Sequence, residues 1–235
     1  METSFDSKQD ARNWVWERLR QEGAARFPFP VDGRIPNFAG ADEAAERLLD
    51  HPIFDGAERI KVNPDSPQKY LREGALERGI TVFVPTPRLK GGFMRFDPAK
   101  IPEEHYRDAS MLSKWDPWAE EVGLGELPQM DLIVAGSVAV TRDGRRCGKG
   151  EGYSDLEFAI LRELGHEPAP VTTTVHSLQV VEDFPIDDHD LGLSVIATPE
   201  ETIDVDSPPV GPQGIDWSLL TDEDLSEMPI LEELR

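Results

Sequence analysis

Cysteine is almost absent from the 235 residues, since Cys147 is the single thiol. One cysteine excludes an intrachain disulfide and any metal site built from several thiolates. So little cysteine is typical of a reducing compartment. The chain begins with Met-Glu-Thr-Ser-Phe-Asp, which has neither the basic nor the apolar region of a signal peptide. The sequence therefore predicts a cytoplasmic protein.

Long apolar runs and metal-binding histidine spacings are missing as well. The longest apolar stretch, residues 132–140, is interrupted by Gly136 and Ser137 and falls far short of the ~20 residues that a membrane-spanning helix needs. The 5 histidines show no HxxxH spacing. We expect neither a membrane protein nor a histidine-based zinc site.

Positive charge is scarce. Lysine and arginine total 24 against 46 aspartates and glutamates, which gives a formal net charge of −22 and a pI near 4.5. Such a surface repels phosphate backbones and anionic lipid, so binding to nucleic acid or membranes is disfavoured. An anionic ligand therefore requires a local exception to the overall charge.

The acidic residues are spread along the chain rather than confined to a tail. At low salt this imbalance causes self-repulsion, whereas at about 1 M salt the Debye length falls to ~3 Å and the repulsion is screened. We therefore hypothesise a halophilic cytoplasm. An ordinary acidic protein is the alternative.

A melting series in KCl distinguishes these two explanations of the charge. We expect the melting temperature to rise by about 10 °C between about 0.1 M and about 3 M KCl, because screening removes carboxylate repulsion from the folded state. Thermal unfolding followed by circular dichroism measures the shift, and a sucrose series controls for general solute exclusion. No gain in stability at high salt would remove the halophilic interpretation.

The length corresponds to one α/β domain with an extension, because domains typically span about 100–200 residues. Short apolar strands alternate with helices, which predicts a mostly parallel sheet covered on both faces. Predicted helices span 8–22, 41–50, 67–78 and 153–164, and predicted strands span 57–62, 80–84, 130–135, 171–175 and 193–197. We assign residues 1–200 to the domain and residues 201–235 to an acidic extension docked through apolar side chains, namely Ile215, Trp217, Leu219, Leu220, Ile230 and Leu231.

A basic, glycine-rich segment is the exception to the negative charge. Residues 142–149 carry four basic side chains and one acidic side chain, and Gly148, Gly150 and Gly152 lead into the predicted helix at 153. Glycines let backbone N–H groups approach a ligand, and the helix N-terminus attracts anions, so the segment predicts a cradle for a phosphate chain. A flexible, solvated hairpin is the alternative. The spacing matches neither GxxxxGK[ST] nor GxGxxG, which excludes a Walker loop and a classical dinucleotide fingerprint.

Two acidic positions near this segment are candidate magnesium ligands. Asp155 lies at the start of the predicted helix, where an aspartate either caps the helix or binds Mg²⁺ beside phosphate oxygens. A second carboxylate is available in the acidic run 187–190, although such runs are usually solvated surface. The residues alone leave both alternatives open.

These motifs together resemble the 5-formyltetrahydrofolate cyclo-ligase (methenyltetrahydrofolate synthetase) family. The family signature is an arginine followed by GxGxGYYD, which residues 146–155 match except that Ser154 replaces the second tyrosine. Lys8 and Arg12 satisfy the family's KxxxR pattern, and Asp190 resembles its later acidic residue. Segments 34–38, 61–65, 84–89 and 214–220 are similar to one branch of the family.

The resemblance implies a three-layer α/β/α fold of the CoA-transferase-like and ribose-phosphate-isomerase-like type. It also implies Mg-ATP-dependent conversion of 5-formyltetrahydrofolate to 5,10-methenyltetrahydrofolate, with ADP and phosphate as products. ATP and a reduced folate are then the expected small-molecule partners, Mg²⁺ the expected metal, and a monomer the expected state. A non-catalytic nucleotide-binding or regulatory relative is the alternative function.

The resemblance also assigns roles to individual residues. It implies catalytic roles for Arg146 and Lys149, folate contacts for Met94, Phe96 and Tyr153, and Mg²⁺ ligation by Asp155 and Asp190. The implied ATP-binding residues are Lys8, Arg12, Arg146, Gly148, Lys149, Gly150, Glu151, Gly152, Tyr153 and Ser154. Without the resemblance, Lys8 and Arg12 would be interpreted as charged surface residues of an amphipathic helix. Met94 and Phe96 are equally consistent with packing in the hydrophobic core, and Tyr153 is consistent with a side chain that only covers the glycine-rich loop.

Overall fold

The structure is a computed structural model that describes residues 3–235, apart from the side chain of Arg88. Its α-helices are α1 (Lys8–Gln21), α2 (Ala41–Leu49), α3 (Lys69–Glu77), α4 (Tyr106–Ala109), α5 (Tyr153–Glu163) and α6 (Asp222–Glu227). Its strands are β1 (Ala25–Arg26), β2 (Asn37–Phe38), β3 (Arg59–Val62), β4 (Thr81–Pro85), β5 (Phe93–Phe96), β6 (Glu120–Val122), β7 (Leu132–Val134), β8 (Ala139–Thr141), β9 (Arg146–Cys147), β10 (Val171–Thr174), β11 (Val180–Val181), β12 (Val195–Ala197) and β13 (Thr202–Asp204).

The main sheet of the described residues has eight strands in the order β13-β12-β10-β7-β3-β4-β5-β6. The five strands from β12 to β4 run parallel, and β13, β5 and β6 pair antiparallel at the edges. In the centre, Ile60 of β3 pairs with Val82 of β4 and Leu132 of β7. The prediction of a mostly parallel sheet is therefore confirmed.

Side chains of the sheet alternate between two cores. Leu132 and Val134 pack in one apolar cluster, whereas Ile133 between them packs in the other, as the period of two of a strand requires. The first of these clusters contains the buried faces of α2 and α3, and the second contains the buried face of α5. Helices therefore cover both faces of the sheet, which makes the fold three-layered α/β/α.

Helix α1 packs on a smaller sheet in the order β11-β8-β9 rather than on the main one. Ala11, Val15 and Leu19 are fully buried against residues of β8 and β9. Ser7 caps the helix by accepting a hydrogen bond from the Asp10 N–H at 3.1 Å. This packing leaves Lys8 and Arg12 along the edge of α1 that faces β9 and the glycine loop behind it.

The C-terminal segment, residues 201–235, packs on the same face of the sheet as α5. Its strand β13 pairs with β12, and Met228, Ile230 and Leu231 are buried in the cluster that contains α5. The Ile215 N–H donates to Glu163 Oε2 at 3.2 Å, which ties the segment to the end of α5. Among the helices of residues 3–235, none combines the length and apolar character needed to cross a bilayer.

Candidate active site

A cavity of about 1150 Å³ opens at the carboxyl ends of the parallel strands. The residues that follow β3, from Asn63 to Ser66, line it, and so do Thr86 and Pro87, which follow β4. The start of α5 and the N-terminal turns of α1 complete this part of the wall. Ligands of open parallel sheets bind at this edge, because loops there are free to carry polar groups.

The glycine loop forms one side of the cavity. Gly150 and Gly152 have φ angles of 108° and 72°, which residues with a Cβ rarely adopt. Gly152 is the N-cap of α5 and supplies no side-chain hydrogen bond to the first turn of the helix. The amide end of α5, which carries a partial positive charge, therefore faces the cavity beside Gly148, Lys149 and Gly150.

Arg146 joins this loop to the sheet from a position that is only 4% exposed. Its Nε and Nη2 donate to the Gly136 carbonyl at 3.2 and 2.9 Å, and its Nη1 lies 3.1 Å from Asp155 Oδ1. Asp155 Oδ1 also accepts from the Leu191 N–H at 3.0 Å. Arg146 and Asp155 therefore meet at the cavity wall.

Helix α1 brings two further cations to the same wall. Arg12 Nε donates to the Gly148 carbonyl at 2.7 Å, and Lys8 Nζ lies 2.5 Å from Asp190 Oδ2 and 2.7 Å from Asp187 Oδ2. Burial lowers the pKa of Lys8, but the hydrogen bonds to both carboxylates outweigh it and hold the pKa above its ordinary value. Lys8 therefore stays protonated where it faces the cavity.

The loop also contains an ion pair of its own. Lys149 Nζ lies 2.7 Å from Glu151 Oε2, and both side chains line the cavity. Tyr153 and Ser154 line it too, and Ser154 Oγ accepts from Asn63 Nδ2 at 3.0 Å. The structure thus gathers every residue proposed for ATP from the sequence around one cavity.

Asp155 and Asp190, the candidate magnesium ligands, both line the cavity. The Asp155 carboxylate accepts a hydrogen bond from the backbone N–H of Leu191, the residue directly after Asp190. Each carboxylate has one oxygen engaged by a cation, Arg146 or Lys8. Mg²⁺ prefers oxygen ligands and typically takes one or two carboxylates together with phosphate oxygens and water. Asp190 lies with Asp187 and His189 in a group whose potential ligand atoms are within 4.8 Å of one another, and Asp155 lines the same cavity outside that group. The carboxylates of this wall are the ligand type that Mg²⁺ takes.

The structure does not bring Met94 and Phe96 to the cavity. Phe96 is buried in the cluster that contains α2 and α3, where its ring centroid lies 5.3 Å from that of Trp115. Met94 is half-buried and packs against the same cluster. Neither belongs to the described residues that line the cavity, and their placement is that of core packing. Strand β5 lies beyond β4, away from the glycine loop, which explains why these side chains serve the core.

A buried polar network beneath the cavity has no counterpart in the sequence predictions. Lys61 and Glu157 form an ion pair while only 1% and 3% exposed, and Lys61 Nζ donates to Asn63 Oδ1 at 3.0 Å. Burial raises the pKa of Glu157, and the charge of Lys61 opposes the rise. A lysine inside an apolar strand is the signal that could have marked this network, because buried lysines need a partner.

A second buried cation holds the loop after β3 in place. Arg72 donates to the carbonyls of Ser110, at 3.0 and 2.8 Å, and Asn63, at 2.5 Å. Burial lowers the pKa of Arg72 to about 10, and the nearby Asp65 opposes the change. Burial likewise raises the pKa of the Asp65 carboxyl, against the nearby charges of Lys149 and Arg72. Arg72 thus positions Asn63 and Asp65, which both line the cavity.

Several segments that carried no site prediction also line the cavity, among them residues 111–113. Phe27, Pro28 and Pro30 line the rim, and Phe27 is 76% exposed there. The C-terminal segment adds Asp216, Leu219, Leu220, Asp224 and Met228. Their sequence marks Leu219 and Leu220 as apolar anchors, but contains no feature that connects them with a ligand site.

The fold and this cavity define a class of α/β protein with a glycine loop that lines a cavity at the carboxyl edge of a mostly parallel sheet. Residues 6–199 match the sequence model of the 5-formyltetrahydrofolate cyclo-ligase family, and the chain belongs to that family. The resemblance found in residues 146–155 is thereby confirmed at the level of the family.

Individual relatives divide into two groups. The chain is 42% identical over 236 residues to the methenyltetrahydrofolate synthase domain-containing protein of Bos taurus, covering 97% of this chain and 62% of that protein. It therefore spans about three fifths of the length of this relative. It is 26% identical over 172 residues to a probable 5-formyltetrahydrofolate cyclo-ligase of Caenorhabditis elegans, covering 69% of this chain and 82% of that protein.

A solved structure shares the fold. The NMR structure of 5,10-methenyltetrahydrofolate synthetase from Aquifex aeolicus superposes with a TM-score of 0.55 at 17% sequence identity, covering 85% of this chain and 93% of that chain. The likeness agrees with the three-layer architecture seen here.

Proposed function

We propose that the chain uses Mg-ATP to convert 5-formyltetrahydrofolate into 5,10-methenyltetrahydrofolate, with release of ADP and phosphate. The observation that carries the proposal is the convergence of Lys8, Arg12 and Arg146 on the glycine loop at the start of α5. These three donors, together with the amides of the loop and the N-terminus of α5, support binding of a triphosphate even in a chain of net charge −22. Membership of the cyclo-ligase family supports the reaction class.

The residues of the cavity have separate tasks in this proposal. The amides of the glycine loop and the side chains of Lys8 and Arg12 hold the phosphate chain. Arg146 and Lys149 stabilise the charge of the phosphoryl group that is transferred. Asp155 and Asp190 would hold Mg²⁺, which when bound neutralises phosphate charge and orients the chain.

The reaction needs ATP because a formyl amide is a poor electrophile and its oxygen a poor leaving group. The formyl oxygen attacks the γ-phosphorus, and the bond to the ADP oxygen breaks. The neighbouring secondary amine nitrogen, which lies outside the ring before closure, then bonds to the formyl carbon and loses its proton, and phosphate leaves with the former formyl oxygen. The protein therefore has to hold two ligands in contact and neutralise charge, which this cavity is suited to do.

The absorbance of the methenyl product tests the proposal. Protein in high-salt buffer is mixed with 5-formyltetrahydrofolate and Mg-ATP. We expect product from the wild type and an initial rate at least about a hundredfold lower from Asp155→Asn, since the variant loses the charge that holds Arg146 and a metal. Asp50→Asn is the matched control, because Asp50 pairs with Arg78 at 2.5 Å outside the cavity.

Two results of this assay would contradict parts of the proposal. A wild-type protein without product at any salt concentration would contradict the enzymatic function. An Asp155→Asn variant as active as Asp50→Asn would contradict the role of Asp155 in the site.

A non-catalytic nucleotide-binding relative is the second candidate, and Glu151 favours it. This residue places a carboxylate inside the phosphate loop and engages Lys149 at 2.7 Å, so that Lys149 is partly neutralised before any ligand binds. Nucleotide binding without methenyl product, and without a gain from Glu151→Gln, would support this second function.

A further inference from the structure

The cavity has two chemically different parts. One part is the polar end around Lys8, Arg12, Arg146 and the glycine loop. The other is an apolar wall whose members belong to one continuous cluster, namely Leu89, Tyr153, Leu156, Ala159, Leu220 and Met228. The two parts meet at Tyr153, the first residue of α5.

The C-terminal segment supplies one side of this apolar wall. The segment is fixed at both ends, by the hydrogen bond from Ile215 to Glu163 and by the burial of Met228, Ile230 and Leu231. Between these anchors, residues 216–227 pass along the cavity. Asp216 of this segment lines the same cavity as His189 and Asp190. We refer to residues 215–228 as the C-terminal strap.

Leu219 and Leu220 are the apolar side chains of the strap that line the cavity before Met228. Leu219 is 53% exposed although the neighbouring cluster offers apolar surface, and Leu220 is half-buried. Exposed leucine gains free energy when an apolar surface covers it, by about 25 cal/mol for each Å² removed from water. An apolar ligand group in the cavity would cover Leu219.

The size of the cavity leaves room for a second ligand. Sites for one small molecule typically enclose about 300–1,000 Å³, and this cavity measures about 1150 Å³. Direct phosphoryl transfer requires donor and acceptor in the same cavity and in contact. With the triphosphate at the polar end, the apolar wall offers a surface for the acceptor.

We propose that the C-terminal strap is a substrate-specificity element, in which Leu219 and Leu220 pack against the ring system of the reduced folate. The inference rests on the proposed function. It assigns a ligand contact to a segment that lies beyond residues 6–199, the part of the chain matched by the cyclo-ligase family. The strap thereby gives this chain a binding surface that the matched part of the family does not supply.

Two leucine variants and one control test the strap. We expect Leu219→Ala combined with Leu220→Ala to weaken binding of 5-formyltetrahydrofolate about tenfold or more, measured by titration calorimetry without nucleotide, because two apolar contacts are lost. Leu219→Asn alone, at an exposed position, should weaken it about threefold or more without a change in melting temperature. Leu225→Ala is the matched control, since Leu225 lies in α6, packs against the same cluster and does not line the cavity.

Binding of Mg-ATP and steady-state kinetics complete the experiment. We expect Mg-ATP affinity to be unchanged in the leucine variants, and the KM for folate to rise while kcat stays the same, as for a contact equal in ground and transition states. A wild-type protein that binds no reduced folate would overturn the proposed function and this inference with it. Wild-type folate binding with equal affinities for the leucine variants and Leu225→Ala would overturn the strap alone. Weaker Mg-ATP binding by the leucine variants would also overturn the proposed role of the strap, because it would indicate that the apolar wall binds the nucleotide base.

Discussion

Replacing Arg146 with alanine is expected to lower Mg-ATP affinity by at least about a hundredfold, which corresponds to about 2.7 kcal/mol. The guanidinium is the buried cation of the loop and lies between the Gly136 carbonyl and Asp155. Without it, Asp155 directs an uncompensated negative charge toward the phosphates, and the glycine loop loses its tie to the sheet. Titration calorimetry with Mg-ATP measures the loss.

The same substitution should lower the free energy of unfolding by about 3–5 kcal/mol, because it breaks a buried ion pair by removing one partner. Arg145→Ala is the matched control. Arg145 is the preceding residue, pairs with Asp183 and Asp143 at the surface and does not line the cavity. Surface pairs contribute about 0–1 kcal/mol, so this control should keep both stability and affinity. Equal nucleotide affinities for the two variants would contradict the phosphate cradle.

Replacing Lys61 with methionine is expected to destabilise the protein by about 3–5 kcal/mol, measured by urea unfolding at pH 8. Methionine fills much of the same volume, so the loss reports the charge of Glu157 that remains buried without its partner. Lys100→Met is the matched control, because Lys100 pairs with Glu120 at 2.7 Å on the surface. Adding Glu157→Met to Lys61→Met should restore most of the lost stability, since a buried pair replaced by apolar groups is often neutral.

The pH dependence of this variant follows from Glu157. Burial raises the pKa of Glu157 above its ordinary value of 4.5, so the folded state binds more protons than the unfolded state between the two pKa values. Stability therefore falls as pH rises through that interval, and without Lys61 the raised pKa moves still higher. We expect the stability deficit of Lys61→Met to be smaller at about pH 5 than at about pH 8. A deficit independent of pH would show that Glu157 does not carry the effect.

Elements with strong local signals agree with the structure to within a few residues. Predicted helix 8–22 is α1 at Lys8–Gln21, and predicted helix 153–164 is α5 at Tyr153–Glu163. Predicted helix 67–78 begins instead as the 3₁₀ turn Ser66–Gln68 before α3. Proline in the first turn fits both forms, because that turn has no intrahelical N–H bond to lose.

The edge strands β5 and β6 could not be predicted from their own residues. Phe93–Phe96 and Glu120–Val122 pair antiparallel beyond β4, and only the neighbouring strand makes their short sequences extended. The same limit applies to Met94 and Phe96, whose types suit a folate pocket and a core equally. The burial of Phe96 beside Trp115 depends on how β5 packs, and this information is not local.

The amino-acid sequence by itself determined the family, the alternation of helices and strands, and the position of the glycine loop before α5. Arg146, Gly148, Gly150, Gly152 and Asp155 are neighbours along the chain, so their shared chemistry is readable without a fold.

The tertiary structure alone decided which distant groups join them. It places Arg12 against the carbonyl of Gly148 across 136 positions, pairs Lys61 with Glu157, and brings Leu219 and Leu220 to the cavity. Such contacts depend on which surfaces the three layers bury together, and that burial is a property of packing between elements rather than of any single segment.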